Sequence, residues 1–414
     1  MPMSVKTFFF VVFVAMMMGS SSTAYTKSLK GFIQTSYVDI DNDAPWLDSW
    51  LENGTGVTRY DSNNEGLRFN QALLEGQLDI GDHWSFDGSL LAYSDGQKSL
   101  GVTEAAFNYQ PITEKLKHTL RVGAFYPNMS LENVDIGWHS PYTYSFSAIN
   151  SWFGEELRII GAEYKVSYLG RRHNSPHSIE IVGSLYGSND GFGSLLSWRG
   201  WAIHDRQTLL GERVNFANYP SFEEGVLSQQ PSSVEPFKET DDRPGYYVGA
   251  HWRFKNSSDL RIYYYDNLAD PEKIEPSGQY AWDTQFSSVA WQYRFNKNTR
   301  LLTQWVKGAT EMGPNVVAID FESYYLLLSH AWNKNRLSFR YDWFDTTETD
   351  KYKFDPNNSQ GFSYTLAWRH QLKPFIEVGM EYLFVDSDNE NRKLFGRPES
   401  SEQQQIQWVF RAKF

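Results

Sequence analysis

Beyond residue 25, apolar and polar positions alternate with a period of two far more often than they recur at helical spacing. The last segment is the clearest. Ile406, Trp408, Phe410, Ala412 and Phe414 fall on one face, and Gln405, Gln407, Arg411 and Lys413 on the other, because successive side chains of an extended chain point to opposite sides. This rule predicts sixteen strands: 29–37, 66–80, 84–93, 102–109, 118–125, 159–168, 178–186, 245–254, 260–266, 287–295, 300–306, 321–332, 336–344, 360–368, 375–385 and 405–414. Most are close to the roughly 9–11 residues that a tilted strand needs to cross a bilayer. The alternation slips near Gln71, which predicts a bulge in the second strand.

The connections sort by length. Short polar turns fall at 81–83, 255–258, 296–299 and 333–335, whereas long connections run over 38–65, 126–158, 187–244, 267–286, 345–359 and 386–404, each after an odd-numbered strand. A soluble sandwich has no reason to sort its loops in this way; a membrane barrel with both termini in the periplasm does. Phe254, Phe295, Trp332, Trp368 and Phe414 stand at one set of strand ends, with Tyr37, Trp343 and Phe384 near the other. Amphipathic rings settle at membrane interfaces. The chain therefore predicts an all-β fold, a 16-stranded antiparallel transmembrane β-barrel with short periplasmic turns and long external loops. In hydrocarbon each unpaired backbone group costs several kcal/mol, so the sheet must close. A barrel of this size is expected to enclose water.

Composition narrows the alternatives. Of 414 residues 41% are hydrophobic and 16% aromatic, which excludes a disordered chain, and the absence of cysteine excludes disulfide scaffolds and thiolate metal or redox sites. After the leader no apolar run approaches the roughly 18 residues of a spanning helix. A net charge of −12 argues against nucleic acid as a partner. Lys6, an apolar run over 7–18 and the small residues Gly19, Ser20, Ser21, Ser22, Thr23 and Ala24 form the order of a secretory signal peptide, so 1–24 is expected to be cleaved and 25–414 to form the barrel.

The ending from Gln405 to Phe414, alternating and closed by an aromatic residue, resembles the terminal strand of Gram-negative outer-membrane proteins. Across 25–414 the architecture is similar to that of porins. This resemblance implies an outer-membrane location, insertion by the barrel-assembly machinery, contact with lipopolysaccharide and outer-membrane lipid, a homotrimer, and passage of small hydrophilic solutes. Locally, 120–132 (Leu-Arg-Val-Gly-Ala-Phe-Tyr-Pro-Asn-Met-Ser-Leu-Glu) with 146–150 (Phe-Ser-Ala-Ile-Asn) is similar to the fifth-strand region of the phosphate-selective porin O/P-like family, although the basic ladder of a phosphate channel is not evident. In porins the loop after the fifth strand folds inward. The matching segment, 126–158, carries Glu132, Asp135, His139, Glu155 and Glu156 among Trp138, Tyr142, Tyr144, Phe146, Trp152 and Phe153. It is either a constriction loop with acids over the water path or an external loop packed on its neighbours.

The polar strand face offers Arg121, Lys165, Arg253, Arg261, Arg294, Arg300, Arg340, Arg369, Arg411 and Lys413, against Glu75, Asp87, Glu104, Glu163, Glu180, Asp342, Glu377 and Glu381. Most of the arginines stand near the short turns, with Arg340 near mid-height, while the long loops lean acidic (Asp39, Asp41, Asp43, Asp48, Glu52, Asp386, Asp388, Glu390). The pattern predicts a negative outer vestibule and a positive inner rim, and rings of charge bias which ions pass. The pore-lining candidates are Arg121, Glu132, Asp135, His139, Glu155, Arg340 and Glu381. The competing reading is that rim arginines anchor strand ends and external carboxylates bind divalent cations shared with lipopolysaccharide. Segment 187–244 holds Trp198, Trp201, His204, Asp205, Arg206, Glu212 and Arg213 before a Pro/Ser/Glu-rich tract. It could line a solute path, form a lid or clasp a neighbouring subunit.

No phosphate cradle, zinc helix or nucleophile elbow is present, and neighbouring pairs such as His204 and Asp205 point apart on an extended chain. Asp39, Asp41 and Asp43 begin a calcium-loop spacing but lack its glycine and terminal glutamate. The sequence thus implies no enzyme, no cofactor and no metal. It points to passive diffusion through an outer-membrane channel, with a substrate-selective porin (anion, phosphate or oligosaccharide) or a plugged barrel serving as adhesin or structural protein as alternatives. TonB-dependent import is disfavoured because no plug domain precedes the first strand.

Overall fold

The computed structural model describes residues 24–42, 44, 46–313 and 316–414, so residues 1–23 of the expected signal peptide, and Asp43, lie outside the described residues. Sixteen antiparallel strands close into one barrel in chain order: β1 (Ala24–Asn42), β2 (Gly66–Ile80), β3 (Trp84–Tyr93), β4 (Leu100–Tyr109), β5 (Leu116–Phe125), β6 (Ile159–Tyr168), β7 (His177–Tyr186), β8 (Gly245–Phe254), β9 (Ser258–Asp266), β10 (Asp283–Arg294), β11 (Thr299–Met312), β12 (Val317–Trp332), β13 (Asn335–Glu348), β14 (Ser359–Lys373), β15 (Ile376–Asn389) and β16 (Ser400–Lys413). β16 pairs back onto β1 with Thr35 opposite Phe410, which leaves no open edge.

The period of two decides which side chains meet lipid. Trp408 is 54% exposed on the outer wall, while its neighbour Gln407 is 4% exposed and faces inward. The break near Gln71 is a bulge: Gln34 pairs with Gln71 and Thr35 with Phe69, leaving Asn70 unmatched. Connections of two to eight residues join even strands to odd ones, and Asn333 takes a positive φ of 51° where β12 reverses into β13 in two residues. Several strands outrun the predicted segments at the long-loop end. β11 continues to Met312 and β13 to Glu348, because outward Lys307 and Glu311 no longer look like an oil-facing face although the ladder continues.

The interior differs from the expected water-filled lumen. Inward side chains at mid-height are buried almost all the way round, among them Gln34, Leu73, Leu91, Thr103, Val182, Tyr247, Phe286, Leu302, Tyr325, Arg340, Thr365 and Glu381. What covers them is the protein's own connections. A helix in the loop after β5, α1 (Ala148–Glu156), is buried at every position, as is a second helix after β7, α2 (Ser194–Arg199). Trp152, Phe153, Phe192 and Trp201 from these connections share one cluster with wall residues Tyr263, Tyr265, Phe286, Phe321 and Leu327. The apolar side chains on the inner face of β10–β12, Phe286 and Phe321 among them, are thus a docking surface for α1, and Tyr265 of β9 meets Phe192 of the connection after β7, while β13–β16 and β1 present mainly polar groups.

Candidate functional site

The loop 126–158 is fastened to the wall by charge. Arg340, on the inner face of β13, is fully buried and spends its guanidinium on both sides of the contact. Its Nε donates to Asp342 at 2.7 Å, Nη1 to Glu132 at 2.9 Å and to the Ser145 carbonyl at 2.8 Å, and Nη2 to the Phe146 carbonyl at 2.8 Å and Thr365 at 3.1 Å. Glu132 also accepts from Asn150 Nδ2 at 2.8 Å and from the Ser147 amide, just ahead of α1, and Asp342 accepts from the Ala148 amide at 3.1 Å. The Ser147 and Ala148 donors are backbone amides that a helix start leaves without intrahelical partners. Ser147 caps the helix, its hydroxyl accepting from the Asn150 amide. On the next strand Arg369 donates to the Ser140 carbonyl at 2.7 Å, and one strand beyond it Glu381 accepts from the amides of Tyr144 at 2.6 Å and Ser145 at 2.8 Å.

The connection after β7 locks onto this loop. Glu156 takes the Trp152 indole N–H at 2.7 Å and the Leu195 amide at 3.0 Å, so α1 ends where α2 begins. Glu155 forms a two-pronged pair with Arg199 at 2.8 and 2.6 Å and lies 3.2 Å from His204. Asp205 meets Arg59 at 2.7 Å, Asp95 bridges Arg59 and Arg206, and Arg206 reaches Glu212 at 2.6 Å. This second network joins three connections and was not legible in the sequence. Arg59 and Asp205 are 146 positions apart, and nothing in either neighbourhood marks the other.

The seven pore-lining candidates therefore separate. Glu132, Arg340 and Glu381 come together in one buried latch. Glu155 belongs to the Arg199 and His204 contact. His139 is buried under Phe32, with Nε2 3.1 Å from the Gln71 amide oxygen. Asp135 is partly exposed and accepts from the Ile136 amide at the turn that precedes His139. Arg121 stands apart, partly exposed, 3.2 Å from Glu104. Arg336, missed because the predicted strand opened on it, faces inward beside Arg369. Among the described residues, the group of acids close enough to share a hard cation is Asp190, Glu239 and Asp241, with oxygens within 4.8 Å of one another and away from the latch.

Solved structures of the same architecture are numerous. The chain is similar to OmpT of Vibrio cholerae in its trimer form, at 9% identity over 95% of this chain and 100% of that one, with a TM-score of 0.53. It is similar to the outer-membrane channel DcaP of Acinetobacter baumannii, at 10% identity, 95% and 99% coverage and a TM-score of 0.53. OmpF of Salmonella typhi aligns at 11% identity, 94% and 97% coverage and a TM-score of 0.50. The fold is that of the Gram-negative outer-membrane porins. No protein-family model matches the chain, and no curated protein matches it in sequence, so the likeness of 120–132 and 146–150 to phosphate-selective porins stays a local one.

Within this porin-type barrel the two inserted connections carry groups that titrate near neutrality. Burial pushes the Glu156 carboxyl up to about 7, with neighbouring Glu155 adding to the effect, and burial pushes Asp190 up to about 8, with Glu239 and Asp241 adding. Their contribution to the docked loops is complete below the ordinary carboxylate range and is lost as pH rises through about 7 and 8. Buried His139, pushed down to about 4, and His204, also lowered by burial, act in the opposite sense: their contribution holds above 6.5 and is lost as pH falls below it. Glu155 is held at about 2, Arg199 and then His204 outweighing its burial, so it stays ionised throughout this range. Acidification from pH 8 to 6.5 should therefore tighten the docked loops, and Glu156→Gln should remove part of that response. Ion conductance in planar bilayers at the two pH values checks it; a wild-type barrel that conducted more at pH 6.5 would refute the assignment.

Proposed function

We propose that this chain is a porin-like channel of a Gram-negative outer membrane, a homotrimer that passes small hydrophilic solutes by passive diffusion and whose own loops close it at mid-height in the conformation described. The observation that supports it best is the inner face of β13–β16 and β1. Gln34, Ser363, Thr365, Gln403, Gln405 and Gln407 make that wall polar, and the material against it is connecting loop held by ion pairs and hydrogen bonds. Such a wall loses little when water replaces the loop, whereas an apolar one would lose its burial. The trimer rests on the OmpT relative, described as a trimer form, and on the fold they share. The acidic long loops suit cation-bridged contact with lipopolysaccharide, and the terminal aromatic strand suits the barrel-assembly machinery.

A plugged barrel with a surface or structural role is the second reading, favoured by the buried mid-height. Liposome swelling with sugars of graded size separates the two. The channel reading expects slow uptake with a size cutoff, rising when the loop latch is broken. No uptake by either the intact chain or the latch variant would leave the plugged barrel standing.

A further inference from the structure

At the short-turn end the register sets like charges opposite one another. Arg294 on β10 pairs with Arg300 on β11, and Arg336 on β13 pairs with Arg369 on β14, all four at inward-facing positions. Directly opposed like charges destabilise a sheet unless something of the other sign lies between or before them. Arg411 and Lys413 of β16 add two more cations. The nearby acid on the wall, Glu377, is already engaged by Arg369 at 2.8 Å and Lys413 at 2.5 Å, and Asp135 of the loop acts on Arg369 and Arg411. Among the described residues Arg294, Arg300 and Arg336 make no ion pair. Arg336 donates to Ser329 at 2.8 Å, and Arg300 donates to the Tyr142 hydroxyl at 3.3 Å, its Nε buried and without a partner. Both guanidiniums stand over the Tyr142 ring, Arg300 at 5.7 Å and Arg336 at 5.3 Å from its centre. A chain of net charge −12 thus sets two arginines without an ion pair over one aromatic ring at one mouth, Arg300 and Arg336.

We propose that Arg300 and Arg336, flanking Tyr142 with Arg294 and Arg369 behind them, bind a small oxygen-rich dianion at the short-turn mouth of the barrel. Guanidinium forks match the paired oxygens of a phosphate or a carboxylate. The ring ties the site to loop 126–158, which carries Tyr142. The site's place in transport rests on the channel reading above, where it would favour anionic solutes; binding itself needs no flux.

The test is calorimetric titration of the full detergent-solubilised chain at low salt with inorganic phosphate and, separately, with succinate. Saturable binding of one or both is expected, phosphate alone marking a phosphate-type ligand and succinate a dicarboxylate. Arg300→Gln with Arg336→Gln should weaken it by about tenfold or more per arginine, while Arg253→Gln, on a neighbouring strand end with its own partner Asp259, should leave it unchanged. Circular dichroism reports that the double variant keeps its barrel, and Arg336→Lys, charged but without the fork, should fall between. Absence of saturable binding by the wild-type chain, or equal affinity in the folded double variant, overturns the site. Binding without swelling would remove the channel reading and keep the site; swelling without binding would do the reverse.

Discussion

Arg340→Ala is expected to turn a quiet barrel into a conducting one. The guanidinium is the cation among Glu132, Asp342 and Glu381, and all four groups are fully buried. Removing one partner of a buried pair costs about 3–5 kcal/mol, because the carboxylates left behind cannot be solvated in place. The barrel ladder does not depend on that side chain, but the position of loop 126–158 does. The molecule therefore escapes the penalty by releasing the loop and letting water reach the acids. At about 1.4 kcal/mol per factor of ten, the closed-to-open ratio should fall by about two to three and a half powers of ten. Single-channel recording and swelling rates read this directly. Arg340→Lys keeps the charge and loses the fork, so it should raise conductance less, and Glu132→Gln in the Arg340→Ala background should partly reverse the rise. A conductance for Arg340→Ala equal to that of the wild type would show that the latch does not hold the loop.

The second large effect is expected from Trp152→Ala. The indole stacks on Phe192 at 4.5 Å and meets Trp201 edge-on at 5.4 Å and the wall residue Phe321 at 5.0 Å. It thus joins both inserted connections to β12, and its N–H satisfies Glu156. Truncating a buried tryptophan costs about 3–5 kcal/mol through lost burial and the cavity left behind. Hydrogen exchange should rise across 148–156 and 194–199 while amides of β12 and β13 stay protected, since the loops can unfold without the barrel. Trp152→Phe, which keeps a ring and loses the donor, should produce a smaller rise. Unchanged exchange in both helices for the alanine variant would disprove the clasp.

The strands were legible because lipid and interior read alternate residues. Trp408 and Gln407 differ in polarity, so their segment could be placed and its face assigned. The tall ends of β11 and β13 were not legible, since above the bilayer an outward lysine or glutamate no longer contrasts with what lies inward. Tyr247, Tyr263, Phe286 and Phe321 are apolar residues on the face expected to be polar. Along a single strand they look like irregularities; Phe286 and Phe321 find their partner in Trp152 of α1, while Tyr247 and Tyr263 bond Glu163 and His251 elsewhere on the wall. Arg336 was missed for a boundary reason, one residue inside the start of its strand.

From sequence alone follow the export signature as an expectation, sixteen alternating segments, their closure into a membrane-spanning barrel, and the gathering of arginines near the short turns. These follow from local physics: a period of two, turn chemistry and the cost of an open edge in oil are all written within a few neighbouring residues. Tertiary structure alone decided that the interior is filled, that Arg340 closes on Glu132 from 208 positions away, and that Glu155 answers Arg199 and His204 rather than a stream of ions. Those contacts depend on how two long connections fold back into the barrel, and a loop's path is set by partners distant in sequence, which no local pattern records.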